Sequence, residues 1–253
     1  MKNKCKNKLK NGEVVIGTFL TLNSLELAQL FSNNDYDFLM IDSEHGALNI
    51  ETIGQQISLM KDQTTPLLRI PYLDIVNTKK GLDSGAFGIM VPMVNTKTDI
   101  ENFIKMTTFP PKGIRGCGAT RANMFYTKAN EYFKFADTEI LRIIQIETKE
   151  ALDNLEEILS VEGIDVAFLG PYDMSFSLGI PGDVSNPLME EVSNKLVQTC
   201  NKYGVYPGIM SNPNDFKKHI NMGFKFIIEG LDSLLIDGAI KNSIKHMKNL
   251  LNN

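Results

Sequence analysis

Short apolar runs alternate with segments of helical periodicity along almost the whole chain. Residues 141–179 show this most clearly. Residues 141–146 and 166–169 are apolar runs, and between them the apolar positions 151, 152, 155, 158 and 159 fall on one face of a helix. A strand, a helix and a strand at this spacing predict a βαβ unit, in which the two strands are parallel.

The same alternation predicts eight strands separated by helices. The predicted strands are residues 14–22, 38–41, 66–70, 88–91, 141–146, 166–169, 206–209 and 226–228. The predicted helices are residues 25–31, 50–61, 75–84, 97–107, a segment around 151–159, 187–203, 214–222 and 232–250. Short, continuously apolar strands are typical of a parallel sheet covered by helices, so the pattern predicts an α/β protein with a (β/α)₈ TIM barrel.

A doubly wound open sheet remains the structural alternative. No GxGxxG motif follows the first strand, which disfavours a dinucleotide-binding site. No linker or change of composition divides the chain, so we expect one barrel domain over residues 1–253.

Composition and charge narrow the functional classes. The 253 residues are 43% hydrophobic, which is enough for a full core, and the net charge of −4 offers no basic surface for nucleic acid. No apolar run approaches the length of a membrane span, and no apolar segment of a signal peptide follows the lysines of residues 2–10. Three dispersed cysteines are typical of the reducing cytoplasm and argue against a disulfide scaffold or a structural zinc site.

Polar side chains follow the predicted strands at the rim where barrel enzymes have their active sites. Glu147 and Asp173 end neighbouring parallel strands, so two carboxylates converge and can hold a hard divalent cation. A base, a fixed cation and a carboxylate pair are the groups that form and stabilise an enolate. The strand-end residues are Asp42, Glu44, His45, Arg69, Gln145, Glu147, Asp173, Ser211, Asn212 and Glu229.

Each of these residues also has a structural interpretation. An acidic residue after a strand often caps the next helix, and a lone histidine is often only a hydrogen-bonded structural residue. Arg69 can pair with a carboxylate at the edge of the core, and Asp83, inside a predicted helix, can be a solvated surface charge. When each residue is considered by itself, a functional role is favoured over a structural one only for Glu147 and Asp173.

Six segments carry a resemblance to a known family. In order, they are DFLMIDSEHG, LLRIP, DSGAFGIMVPMV, FPPKGIRG, QIETKEALDNLEEILSVEGIDVAFLGPYDMSFSLG and FIIEGLDSLLI. Together they resemble the HpcH/HpaI aldolase family of metal-dependent class II pyruvate aldolases from about residue 12 to residue 240. The resemblance implies a barrel of the phosphoenolpyruvate/pyruvate-domain type. It also implies reversible retro-aldol cleavage of a 4-hydroxy-2-oxo acid to pyruvate and an aldehyde, in aromatic or sugar-acid catabolism.

The resemblance also implies roles for particular residues around the metal. Glu147 and Asp173 match the ligands of a divalent ion, which would be Mg²⁺, Mn²⁺ or Co²⁺. Gln145 and the backbone at Tyr172, beside Asp173, match positions that contact the pyruvate unit. Tyr172 departs from the small residue that many relatives have there, so its side chain is expected to reshape the pocket.

The remaining implied roles concern proton transfer and assembly. His45 matches the catalytic base, and Arg69 matches the cation that stabilises the transition state. Asp83 matches an aspartate that reaches the histidine from a neighbouring subunit. The resemblance thus implies a homo-oligomer, a hexamer built as a trimer of dimers, with the last helix at a subunit interface. No lysine is needed for a Schiff base, and lysines are sparse at the predicted strand ends.

Other functions remain open at this stage. A CoA-ester lyase of the citrate-lyase beta type would suit the acid pair, although the chain ends soon after the eighth helix and leaves no extension to cover a thioester. A site for a phosphorylated sugar is disfavoured because Glu229 would repel the phosphate. A non-catalytic barrel homologue is the third alternative. Arg115 and Arg121, on the long segment 109–128, would either recognise the distal end of a substrate or stabilise the loop or a subunit contact.

Overall fold

Eight parallel strands close into a barrel in the computed structural model, which describes residues 2–118 and 120–251. Each strand pairs with its neighbours in sequence, and β8 pairs with β1. The (β/α)₈ prediction is therefore confirmed. The strands are β1 (Val15–Leu20), β2 (Phe38–Asp42), β3 (Thr65–Arg69), β4 (Gly88–Val91), β5 (Leu141–Ile146), β6 (Val166–Leu169), β7 (Tyr206–Met210) and β8 (Phe226–Leu231).

Helices cover the outside of the barrel. They are α1 (Lys4–Lys10), α2 (Leu25–Ser32), α3 (Ile50–Leu59), α4 (Ile75–Asp83), α5 (Lys97–Thr107), α6 (Ala129–Glu139), α7 (Lys149–Asp153), α8 (Leu155–Leu159), α9 (Pro171–Ser177), α10 (Pro187–Tyr203), α11 (Phe216–Met222) and α12 (Asp232–Leu251). The predicted bounds of α5 and α10 are correct. Ser24 caps α2 as the sequence predicts, because its hydroxyl accepts a hydrogen bond of 3.1 Å from the Leu27 N–H.

Three helices, α1, α6 and α9, are absent from the sequence prediction, and one predicted helix is broken into α7 and α8 at Asn154. In α1 the apolar residues Cys5 and Leu9 are one helical turn apart among several lysines, and both side chains are fully buried against the barrel. In α6 the same spacing of Tyr132 and Ala136 anchors the helix. Two buried apolar positions in each of these two helices give too weak a periodic signal to predict them.

Side chains fill the inside of the barrel. The rings of Phe38 and Phe226 stack there with centroids 4.2 Å apart, and Phe168 packs edge-on against Phe226. Burying each large apolar side chain contributes roughly 1.5–3 kcal/mol, so this cluster is a major part of the stability. Because the interior is a packed core, the polar groups available to a ligand lie at the rims.

Two chain-wide features bear on the other expectations. Cys5 and Cys200 are buried and Cys117 is exposed, and all three are free thiols. Among residues 2–118 and 120–251, no helix has both the length and the apolar character that a membrane crossing requires.

Candidate active site

The ends of β2 and β3 hold a buried ion pair. Asp42 and Arg69 are register partners, and the guanidinium donates to both carboxylate oxygens, from Nε to Oδ1 at 2.8 Å and from Nη2 to Oδ2 at 2.7 Å. The Phe19 ring centroid lies 4.3 Å from the Arg69 guanidinium carbon. This two-point contact and the aromatic face fix the position of the Arg69 charge.

The polar network continues across β5. Arg69 Nη1 donates to Gln145 Oε1 at 3.1 Å, and Gln145 Nε2 donates to Glu147 Oε2 at 2.5 Å. The other oxygen of Glu147 accepts a 2.6 Å hydrogen bond from the Met93 backbone N–H. Gln145 and Glu147 are buried. Asp42, Arg69 and Gln145 from three strands, Glu147 directly after β5 and a backbone N–H from the loop after β4 thus form one continuous network.

The second carboxylate approaches from β6. Gly170 follows this strand, and a Cβ there would lie 2.9 Å from both the Cβ and Oε2 of Glu147, so only glycine fits beside the carboxylate. Asp173 follows in the first turn of α9 and is exposed. The segment that follows β6 therefore brings Asp173 to the side of the network where Glu147 lies.

Electrostatics at this rim are dominated by carboxylates. Burial raises the pKa of Glu147, and the charge of Asp173 raises it further, while the Met93 N–H lowers it. Burial likewise raises the pKa of Glu44 to about 7, against the effect of Arg69, and the charges of Glu147, Asp42 and Asp173 add to the rise. The positive charge of Arg69 therefore neutralises only part of the negative charge that these carboxylates carry.

This excess of negative charge fits a divalent cation. Glu147 and Asp173 supply hard oxygen donors, and the two hydrogen bonds to Glu147 fix its orientation while leaving lone pairs for an ion. Among residues 2–118 and 120–251 no group of three or more His, Cys, Asp and Glu side chains is arranged to hold a metal. A cation bound here would therefore take two carboxylates from the chain and complete its coordination with water or substrate.

His45 stands at the outer edge of this site. Its side chain is 68% exposed, and its Nε2 lies 3.8 Å from Glu44 Oε1. The position is set by Asp42, whose Oδ1 accepts hydrogen bonds from the backbone N–H groups of Glu44 and His45. His45 is thus accessible, and among the described residues the carboxylate in ion-pair range of its imidazole is Glu44, at a distance longer than a hydrogen bond.

Asp83 lies away from this rim. It is the last residue of α4, and because α4 returns antiparallel to β3, Asp83 is at the opposite end of the barrel wall from His45. Its carboxylate lies 3.5 Å from Arg115, and its carbonyl accepts from the Ala122 N–H. In the described part of the chain, Asp83 and His45 make no ion pair with each other.

Other predicted rim residues serve local structure. Ser211 is buried and hydrogen-bonded to the His219 ring, Asn212 accepts from the Asn214 N–H, and the Tyr36 hydroxyl donates to Glu229. The Tyr172 side chain is 53% exposed, and its backbone is in the first turn of α9.

Two contributors to the site have no assigned role in the sequence prediction. Glu44 is among the strand-end residues, but its burial against Arg69, with Nε 3.2 Å from Oε2, cannot be deduced from its position in the chain. Met93 contributes only a backbone N–H, which a left-handed conformation of φ 53° presents. A methionine gives no sequence signal for such a conformation, since positive φ is normally associated with glycine or asparagine.

Comparison with known proteins gives family matches over almost the whole chain. The model of the HpcH/HpaI aldolase/citrate lyase family matches residues 15–238. A 4-hydroxy-2-oxo-heptane-1,7-dioate aldolase of Salmonella typhimurium is 34% identical over 239 residues, covering 93% of this chain and 91% of the relative.

Solved structures show the same fold. An HpcH/HpaI aldolase/citrate lyase family protein from Burkholderia cenocepacia superposes with a TM-score of 0.93 at 27% identity, covering 98% of this chain and 100% of that one. The citrate synthase SbnG superposes with a TM-score of 0.89 at 26% identity, covering 100% of both chains. Both comparisons extend over essentially the whole barrel. The chain therefore belongs to the HpcH/HpaI aldolase/citrate lyase family of carbon–carbon lyases.

Proposed function

We propose that this protein catalyses the divalent-metal-dependent, reversible retro-aldol cleavage of a 4-hydroxy-2-oxo acid to pyruvate and an aldehyde. The observation that carries the proposal is the network from Asp42 through Arg69 and Gln145 to Glu147, with Asp173 beside it. It combines a fixed cation with two carboxylates at one rim. This is the combination that an enolate-forming site needs.

Glu147 and Asp173 would hold the Mg²⁺, Mn²⁺ or Co²⁺ ion. When bound, such an ion supplies Lewis-acid polarisation of a keto oxygen. Gln145 is fixed between Arg69 and Glu147, so it can orient the pyruvate unit without moving either charge. The backbone at Tyr172, in the first turn of α9, offers N–H groups to the substrate carboxylate.

Arg69 would stabilise the negative oxygen that forms when the C3–C4 bond breaks. Its Nε and one N–H of each Nη are used by Asp42 and Gln145, so one N–H on each Nη remains for substrate. Because the guanidinium is already fixed, no reorganisation is needed as charge develops. One such preorganised donor is typically worth about 10²–10³ in rate.

His45 would accept the proton of the C4 hydroxyl. Its exposed ring lies at the rim, but it needs a carboxylate to orient it and to stabilise the imidazolium. We assign that role to Asp83 of a neighbouring copy. The support is topological: Asp83 lies at the far end of its own barrel wall, so it can orient a His45 only if that histidine belongs to another copy.

The last helix supports such an assembly. Of the described residues of α12, only Asp232 is buried. Several large apolar side chains of this helix are exposed, which are Leu234, Ile240, Ile244, Met247, Leu250 and Leu251. Positions 240, 244, 247 and 251 fall on one face, so we place α12 at a subunit interface of a homo-oligomer, for which the resemblance suggests a hexamer as a trimer of dimers. The free cysteines fit a cytoplasmic location.

The first substrate to test is 4-hydroxy-2-oxo-heptane-1,7-dioate, which is the compound in the name of the Salmonella relative. Purified protein with Mn²⁺ is mixed with this acid, and pyruvate is followed through lactate dehydrogenase and NADH. We expect metal-dependent pyruvate release that Arg69→Ala reduces by about 10²–10³. Asp215→Asn, at an exposed carboxylate outside the network, is the matched control and should keep full activity.

A small panel of other 4-hydroxy-2-oxo acids, which differ in the part of the molecule released as the aldehyde, tests alternative substrates. Absence of pyruvate from the whole panel, with Mn²⁺ binding demonstrated, would contradict the proposal. Cleavage of a 3-hydroxyacyl-CoA thioester by the same preparation would then indicate the CoA-ester lyase alternative.

A further inference from the structure

Arg115 is the largest fully buried side chain in the described part of the structure. It comes from the long connection between α5 and α6, and its guanidinium carbon lies 4.5 Å from the Phe109 ring centroid and 5.4 Å from that of Tyr132. Its Nη2 donates a 2.7 Å hydrogen bond to the Tyr132 hydroxyl. The loop thus encloses a full positive charge between two aromatic rings.

This buried charge lies against the carboxylate of Asp83. Arg115 Nη2 and Asp83 Oδ1 are 3.5 Å apart. A guanidinium stays protonated even when desolvated, so it needs a negative neighbour, and Asp83 supplies one. The other charged and titratable groups around the carboxylate are Lys79 on the same helix and Tyr132 of α6, with Arg121 beside Gly85.

A second buried arginine, Arg142, differs from Arg115 in its hydrogen-bond partners. Arg142 donates from Nε to Thr107, from Nη2 to Thr108 and from Nη1 to the Asp137 carbonyl, so its three nitrogens all have partners within the barrel. Arg115 Nε and Nη1 and Asp83 Oδ1 have no hydrogen-bond partner among the described residues. Each side-chain nitrogen of Arg142 thus has a hydrogen-bond partner, as expected for a structural residue, whereas, among the described residues, Arg115 has two unpaired nitrogens and Asp83 as its ion-pair partner.

We propose that Arg115 is a positioning residue for the reaction: it holds the Asp83 carboxylate ionised and oriented for His45 of a neighbouring copy. The inference rests on the proposed function, in which Asp83 orients that histidine. It assigns to the long loop a role in proton transfer instead of direct recognition of the substrate. A fully enclosed guanidinium cannot reach substrate at its own rim.

The two roles of Arg115 predict different effects for different substitutions. Burial raises the pKa of Asp83 and Arg115 lowers it, so Arg115→Met should raise that pKa further. The acid limb of the kcat/KM profile should then move up by roughly 1–3 pH units, the usual effect of an adjacent arginine. Arg115→Lys keeps the positive charge but loses the planar arrangement of guanidinium donors. Thus kcat should fall about tenfold or more, while the acid limb of the pH profile stays in place.

The experiment measures kcat and kcat/KM against pH for cleavage of 4-hydroxy-2-oxo-heptane-1,7-dioate with Mn²⁺. The variants are Arg115→Met, Arg115→Lys, Tyr132→Phe and Asp83→Asn, and exposed Lys134→Met on α6 is the control for loss of a surface cation. Tyr132→Phe removes the hydrogen bond to Nη2 and leaves both charges, so kcat should fall with an unmoved acid limb. Melting temperature and oligomer size are recorded for each variant.

The outcomes distinguish this inference from the proposed function. If Asp83→Asn behaves as wild type, the in-trans role of Asp83 is wrong and the inference falls with it. If Asp83→Asn is impaired but Arg115→Met keeps the wild-type acid limb, only the positioning role is overturned. Should Arg115→Met fail to assemble, the Arg115→Lys and Tyr132→Phe profiles decide: wild-type kcat in both would overturn the proposal.

Discussion

Replacing Glu44 by glutamine should stabilise the metal-free protein at neutral pH. Glu44 is largely buried beside Arg69, and burial together with the charges of Glu147, Asp42 and Asp173 raises its pKa to about 7 from the usual 4.5, with Arg69 opposing the rise. Between these two pH values the folded state binds more protons than the unfolded state. Stability therefore falls as pH rises through this window, and glutamine removes that loss.

The size of the effect follows from the two pKa values. A difference of about 2.5 pH units at about 1.36 kcal/mol per unit gives about 3 kcal/mol, and solvent screening reduces this to roughly 2 kcal/mol. Glu44→Gln keeps the shape of the side chain, and Asp42 remains to compensate Arg69. The gain in the free energy of unfolding should be near zero at about pH 4.5 and reach its full value above about pH 7.

Urea unfolding with a chelator present, at one fixed protein concentration and from about pH 5 to about pH 8, measures this difference. The matched control is Glu101→Gln on the exposed face of α5, which should parallel wild type at every pH. Added Mn²⁺ should flatten the wild-type pH dependence, because a cation offsets the crowded negative charge. Parallel pH profiles for wild type and Glu44→Gln would refute the electrostatic reasoning.

Three further predictions concern the site and its assembly. Glu147→Gln and Asp173→Asn should each lose Mn²⁺ binding and cleavage together, since amides are weaker ligands for a hard cation, and unchanged Mn²⁺ affinity by calorimetry would contradict the metal assignment. Gly170→Ala should also weaken Mn²⁺ binding, because its Cβ would lie 2.9 Å from Glu147 Oε2; calorimetry on a variant with wild-type melting temperature tests this. Mixing inactive His45→Ala with inactive Asp83→Ala should recover part of the activity through mixed sites, and no recovery after proven subunit exchange would count against a shared site.

The sequence predicts the barrel well because its signals are local. Apolar runs and helical faces give the strands and most helices, and the bounds of α5 are predicted correctly from its apolar face alone. In the structure, a capping box of Thr96 with Asp99 fixes the start of this helix. The helices that the sequence does not reveal are short or carry only two buried positions, as α6 does with Tyr132 and Ala136.

The site is only partly predictable, since several of its contacts join residues far apart in the chain. The strand-end rule brings Arg69, Gln145 and Glu147 to one rim, and the structure joins them by hydrogen bonds. The burial of Glu44 and the contact of Arg115 with Asp83 depend on side-chain packing across elements, for which the sequence has no periodic signal. The role of Asp83 depends on a second subunit and stays a prediction.

The most direct test of the account uses pyruvate alone, without the aldehyde. If Glu147 and Asp173 hold a divalent ion beside Arg69, the keto oxygen of bound pyruvate is polarised and its methyl protons become acidic. Pyruvate in D₂O with enzyme and Mn²⁺ should then exchange its methyl hydrogens faster than with Mn²⁺ alone. A chelator should abolish the exchange, and Arg69→Ala should slow it by about 10²–10³.

Arg69→Lys should restore only part of the rate, because an ammonium cannot reproduce the fork that contacts Asp42 and Gln145 together. Mass spectrometry of the recovered pyruvate measures the exchange. Deuterated methyl groups that depend on both the metal and Arg69 are the predicted result. A methyl group that stays undeuterated, with Mn²⁺ shown to be bound to the enzyme, would contradict the enolate mechanism.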